Sequence, residues 1–124
     1  MRRRWRELDR VAVHGAVDAL PTRRRLQALA CLGWPGPWVA RMAGLSPKHA
    51  SDFVSRDRVT RATEAAIRAV YDELCMRVPA GRSKGERIAI TRTRNTAAAK
   101  GWVPPLGWDD IDDPGEHPGE REAA

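Results

Sequence analysis

The chain has 124 residues, is 42% hydrophobic and carries a formal charge of +6 with a pI near 10.3. Such a length and composition bound it to one small domain with a modest core, plus terminal tails. No run of 18 apolar residues occurs, and the Arg-rich start Met1 to Arg6 passes into Glu7, Asp9 and Arg10 instead of an apolar stretch. A membrane span and a secretory leader are therefore not expected, and the reading is a soluble protein of the cytoplasm, close to the nucleoid.

In residues 1–20, Trp5, Leu8, Val11, Ala12 and Ala16 fall on one helical face. A short helix between Arg4 and Val13 is expected within a basic N-terminal segment. Thr22 then offers a capping hydroxyl ahead of RRRLQALACLG, where Leu26, Leu29, Ala30 and Leu32 form one stripe and Gly33 ends the helix. Cys31 and Cys75 each lie in an apolar helical pattern and read as small core residues, not a disulfide pair. His14, His49 and His117 are scattered and no CxxC or HxxxH spacing occurs, so neither a metal site nor a cofactor is expected.

Gly33-Trp34-Pro35-Gly36-Pro37-Trp38 is a turn by composition, with Pro37 suited to the first position of the next helix. Its two tryptophans read as packing and not as a base-stacking platform, because the chain shows no strand alternation on which to build one. Residues 36–56, GPWVARMAGLSPKHASDFVSR, then carry the spacing of a helix-turn-helix. Ala40 is small where two helices would cross. Gly44 follows four residues later, where a left-handed residue must close the first helix. Leu45 is the inward residue of the turn, and Ala50 and Phe53 face Val39 and Ala43.

Asp57-Arg58-Val59 bridges to Thr60, which caps an amphipathic helix through Met76 whose buried face is Ala62, Ala66, Ile67, Val70, Tyr71 and Leu74. Thr60 and Glu64 miss the capping-box spacing by one residue; after a linker at Val78 to Lys84, Ser83 and Glu86 satisfy it. A second basic helix is expected to about Lys100, stopped by Gly101, although the β-branched Ile88, Ile90, Thr91 and Thr93 weaken its propensity. Pro104-Pro105 enforces extended backbone, and the last ten residues are too polar to fold alone. The expected fold is all-α: a small helical bundle containing a helix-turn-helix, with an extended acidic C-terminal tail. Its parts are the basic segment 1–20, the DNA-binding domain 21–78, the linker and basic helix 79–101, and the Pro/Trp segment and acidic tail 102–124.

Three stretches, PTRRRLQALACLGWPGPWVARMAGLS, RVTRATEAAIRAVYDEL and GWVPPLGWDDIDDP, together resemble small helix-turn-helix proteins common in actinobacteria and their bacteriophages. In that group a Gly-Thr-Arg-Arg-Arg-Leu-Gln-Ala-Leu stretch leads into the motif and a Gly-Trp-x-Pro-Pro-Leu-x-Trp-Asp-Asp segment closes the protein. The resemblance covers residues 17–114 and implies a DNA-binding fold of the broad phage-repressor type, acting in transcription regulation. The chain departs from the pattern at Pro21, which replaces the Gly before the first helix, and at Pro35-Gly36-Pro37, which replaces a Ser-Gln-type cap.

Charge distribution supports a polyanionic partner. Residues 1–103 hold 21 Lys/Arg against 9 Asp/Glu, a net of +12, whereas residues 104–124 hold 1 against 7, a net of −6. Ser46, Pro47, Lys48, Ser51 and Asp52 form the base-facing set: Lys48 can donate to guanine, Ser51 is adaptable, and Asp52 can accept from cytosine or pair with Arg56. Arg23, Arg24, Arg25, His49, Arg56, Arg58, Arg87, Arg92 and Arg94 are the phosphate candidates, with Lys100 extending the second basic patch. Positive charge in the first turn of a helix opposes its macrodipole, and a nearby phosphate reverses that sign for Arg23 to Arg25.

Asp109, Asp110, Asp112 and Asp113 lack the Gly and terminal Glu of a calcium loop. They read as a solvated tail, or as one that lies on the basic surface and competes with DNA. Trp102 to Trp108 reads as a lid on the bundle or as a contact for a protein partner. No catalytic constellation occurs, so an enzyme is not expected. The expected function is sequence-specific binding of double-stranded DNA, as a transcriptional regulator or repressor. An architectural or recombination accessory factor and a protein-interaction adaptor with incidental DNA affinity are the alternatives. A homodimer on two half-sites and a monomer using its second basic patch are both compatible with the sequence.

Overall fold

The structure, a computed structural model, describes residues 15–48 and 56–118. In chain order these form β1 (Ala16–Asp18), α1 (Leu20–Leu32), α2 (Gly36–Met42), β2 (Arg58–Thr60), α3 (Arg61–Leu74), α4 (Lys84–Lys100) and a 3-10 turn at Pro105–Gly107. The short helix expected between Arg4 and Val13 lies outside the described residues.

The fold is mostly helical, but two strands correct the all-α expectation. β1 and β2 pair antiparallel with Val17 opposite Val59. The ladder continues past both ends: Arg61 N–H donates to the Gly15 carbonyl at 2.8 Å and Ala19 N–H to the Asp57 carbonyl at 2.9 Å. Residues 16–19 of the N-terminal basic segment thus pair with the strand before α3.

Helix α1 begins two residues before Thr22. The Asp18 carboxylate accepts from Leu20 N–H at 2.9 Å and Pro21 sits in the first turn, where no N–H is missed. Thr22 is instead fully buried within the helix, its hydroxyl without a partner among the described residues. The expected stripe does face the interior. Ala19, Leu29, Val39, Val59, Ile67, Val70 and Leu74 make one buried cluster, with Leu26, Leu32, Trp34, Ala43, Leu45 and Tyr71 packed around it.

The two long helices are capped as their sequences require. Thr60 Oγ1 accepts from Thr63 N–H at 3.1 Å at the start of α3, and Ser83 Oγ accepts from Glu86 N–H at 3.1 Å at the start of α4. Thr60→Ala is expected to lower stability by about 1 kcal/mol in a denaturant melt, the usual cost of losing such a cap. A variant with an unchanged midpoint would show the cap to be redundant.

Helix α4 packs on α1, beginning at Lys84 where the expected linker from Val78 ends. Ile90 is buried, Pro79 lies against Gly33, and Arg94 donates through Nε and Nη2 to the Leu32 carbonyl at 3.2 and 3.1 Å. Cys31 and Cys75 are free and half-buried; the Cys31 thiol donates to the Trp102 carbonyl at 3.2 Å, and burial pushes its pKa up. Among the described residues no helix is long and apolar enough to cross a membrane.

Candidate nucleic-acid interface

The end of α2 is closed by a left-handed glycine. Gly44 has φ +76, and Leu45 N–H reaches back to the Ala40 carbonyl at 2.8 Å while Gly44 N–H bonds the Arg41 carbonyl at 3.0 Å. This wraps the last turn of the helix and returns Leu45 onto the core. Ala40 and Val39 are fully buried, as a close helix crossing needs. Ser46, Pro47 and Lys48 then emerge exposed, with Lys48 N–H pointing to Ser46 Oγ at 3.4 Å. His49, Ser51 and Asp52, with the inward candidates Ala50 and Phe53, lie outside the described residues. Where the description resumes, Arg56 is exposed and its carbonyl accepts from Arg23 Nη2 at 2.8 Å. Arg58 is also exposed, yet donates to the Ala16 carbonyl at 2.9 Å. Both Arg23 and Arg58 therefore brace the backbone on which the stretch after Lys48 rejoins the fold.

Arg24 and Arg25, read from the sequence as phosphate candidates, lie beneath another part of the chain. They are 5% and 4% exposed because the C-terminal segment covers them. Arg24 Nη1 donates to the carbonyls of Ile111 at 3.2 Å and Asp113 at 2.6 Å, its Nη2 donates to that of Glu116 at 2.8 Å, and its guanidinium lies 4.5 Å from the Trp108 ring centre. Arg25 meets Asp112 through Nη2 and Oδ2 at 3.0 Å, and its guanidinium stands 5.6 Å from the Tyr71 ring. The Arg25 hydrogen bond holds the Asp112 carboxyl below the usual aspartate range, helped by Arg68 and Arg24. The buried Glu116 carboxylate accepts from the amides of Asp109 at 2.9 Å and Asp110 at 2.8 Å, which folds residues 109–116 into a compact loop. To residue 118, then, the acidic segment is docked and not extended.

The second basic patch divides. Lys84, Arg87, Ile88, Thr91 and Arg92 line one open groove of about 400 Å³ along α4, at the i, i+3, i+4, i+7 and i+8 positions that share a helical face. Lys84 and Arg92 have no ion-pair or hydrogen-bond partner among the described residues, and Arg87 makes only a 3.5 Å contact to the Gly81 carbonyl. Arg94 belongs to another face, tied to α1, and the Lys100 ammonium lies 5.2 Å from the Trp102 ring. Lys84 was not singled out by sequence, although its helical spacing from Arg87 would have placed it there. Its charge at the start of α4 opposes the macrodipole, and an anion at this face would relieve that.

Fold and surface together define a small, mostly helical protein with a basic groove along one helix and an acidic segment clasped to another. The chain matches no family model, no curated protein and no solved structure.

Proposed function

We propose that the chain is a double-stranded-DNA-binding protein of the helix-turn-helix type, acting as a transcriptional regulator. The observation that carries this reading is the turn after α2, where Gly44 at φ +76 and Leu45 on the core deliver Ser46, Pro47 and Lys48 to the surface. A helix begun there would present its first turn to base edges, as the second helix of such a unit does. The groove of Lys84, Arg87 and Arg92 is suited to follow the sugar-phosphate backbone, which positions a protein without reading sequence.

Selection of bound duplexes from a random pool by the full chain at physiological salt tests the reading. The expected result is a defined motif, single for a monomer and palindromic for a dimer. Arg92→Ala should weaken binding to all sequences alike and flatten the salt dependence by about one unit of slope. Retention without a motif would overturn the regulatory role, and no retention would overturn DNA binding itself.

A further inference from the structure

We propose that Arg25, with Arg68 beside it, is a binding site for a DNA phosphate that the C-terminal segment occupies in cis through Asp112, so that the segment and the DNA backbone compete for one guanidinium. The inference rests on the DNA-binding reading and adds to it a site and a built-in competitor.

Arg25 is 4% exposed, and its Nε is buried without a hydrogen-bond partner among the described residues. Among the described residues its one anion is Asp112. Nη2 bonds Oδ2 at 3.0 Å and Nη1 stands 2.8 Å from Oδ1, a two-pronged ion pair. A buried donor left unmade is costly, and Asp112 leaves Nε as one. Arginine's planar fork accepts a phosphodiester in the same two-pronged way as a carboxylate. Arg68, whose Nε and Nη2 donate to the Glu64 carboxylate, stands with Nη1 3.8 Å from Asp112 Oδ2, so an anion at that position would lie beside both guanidinium groups.

The geometry also shows how exchange can occur without unfolding the segment. Arg24 grips residues 111–116 by their main-chain carbonyls, and Glu116 ties the loop to itself; neither uses the Asp112 side chain. That side chain is 38% exposed while the Arg25 side chain beneath it is 5% exposed, so Asp112 is the accessible half of the pair. Displacing one carboxylate opens the site and leaves the clasp.

The test is an anisotropy titration of random-sequence duplex DNA with the full chain across a salt series, comparing the native protein with Asp112→Asn, Asp112→Glu and Asp112→Asn combined with Arg25→Gln. Thermal melts confirm that each is folded. Asp112→Asn is expected to bind roughly three- to tenfold tighter at low salt, with a log–log salt slope steeper by about one. Asp112→Glu should behave like the native chain, and Arg25→Gln should abolish the gain. Equal affinity and slope for the native chain and Asp112→Asn would overturn the cis-occupied site while DNA binding stands. A gain that survives Arg25→Gln would assign it to net charge and overturn the site too. Absence of binding by every variant would overturn the DNA-binding reading and the site with it.

Discussion

Arg24→Met is expected to cost about 3 kcal/mol of folding stability and to release the C-terminal segment from α1. The guanidinium bonds three main-chain carbonyls between Ile111 and Glu116 and covers the Trp108 ring at 4.5 Å. Hydrogen bonds to a charged donor contribute about 1.5–3 kcal/mol each in isolation, and a desolvated cation over an indole up to about 2. These terms do not add, because methionine keeps some of the packing and the freed carbonyls can turn to water. Met also lacks any donor, so the loop built by Glu116 loses its anchor even though its internal bonds survive. In a domain of this size the loss corresponds to a fall of roughly 12–24 °C in melting temperature. Hydrogen exchange supplies the local readout: the amides of Asp109 and Asp110, held by Glu116, should lose protection before those of α3. An unchanged midpoint with full protection at these amides would mean that the segment docks through other contacts.

How far this architecture was legible depends on the range of the interaction that decides each part. Caps and glycine stops are local chemistry, and Thr60, Ser83, Gly33 and Gly101 all end or begin helices as the sequence implies. Helix α4 formed despite its β-branched residues because Ile90 is buried against α1 and Thr93 satisfies its hydroxyl on the Ala89 carbonyl at 2.8 Å. The strands were not legible. Three residues are too few to display alternation, and Val17 finds Val59 only after more than 40 residues of intervening chain. The helix expected from Thr22 starts two residues earlier because Thr22 is buried within it, while the Asp18 carboxylate accepts from Leu20 N–H. The fate of the three arginines was hidden for the same reason as the strands. Arg23 turns to Arg56, while Arg24 and Arg25 find partners 87 or more positions away. Consecutive basic residues on a helix point in different directions, so a charge run marks a basic patch only when nothing distant folds over it.

Gly33→Ala is expected to cost about 2–4 kcal/mol of stability. Two independent costs meet at this position. Gly33 has φ +107, a backbone conformation that penalises any side chain by about 1–2 kcal/mol. An added Cβ would also stand 2.9 Å from Ile90 Cγ2 and 3.0 Å from Arg94 Nε, so α4 must shift or Arg94 must give up the Leu32 carbonyl. Gly44 separates the two costs. It too is left-handed, at φ +76, but no atom of the described residues lies within 4 Å of its added Cβ, so Gly44→Ala should lose only the conformational part. The difference between the two midpoints therefore measures how tightly α4 is seated on α1. Movement of α4 carries Lys84, Arg87 and Arg92 with it, because all three sit on that helix. On the proposed reading, Gly33→Ala then weakens binding to random duplex DNA, whereas Gly44→Ala perturbs the turn that delivers Ser46 to Lys48 and weakens discrimination between sequences. Equal destabilisation by both substitutions would show that Ile90 and Arg94 yield without cost and that the α1 to α4 contact is loose.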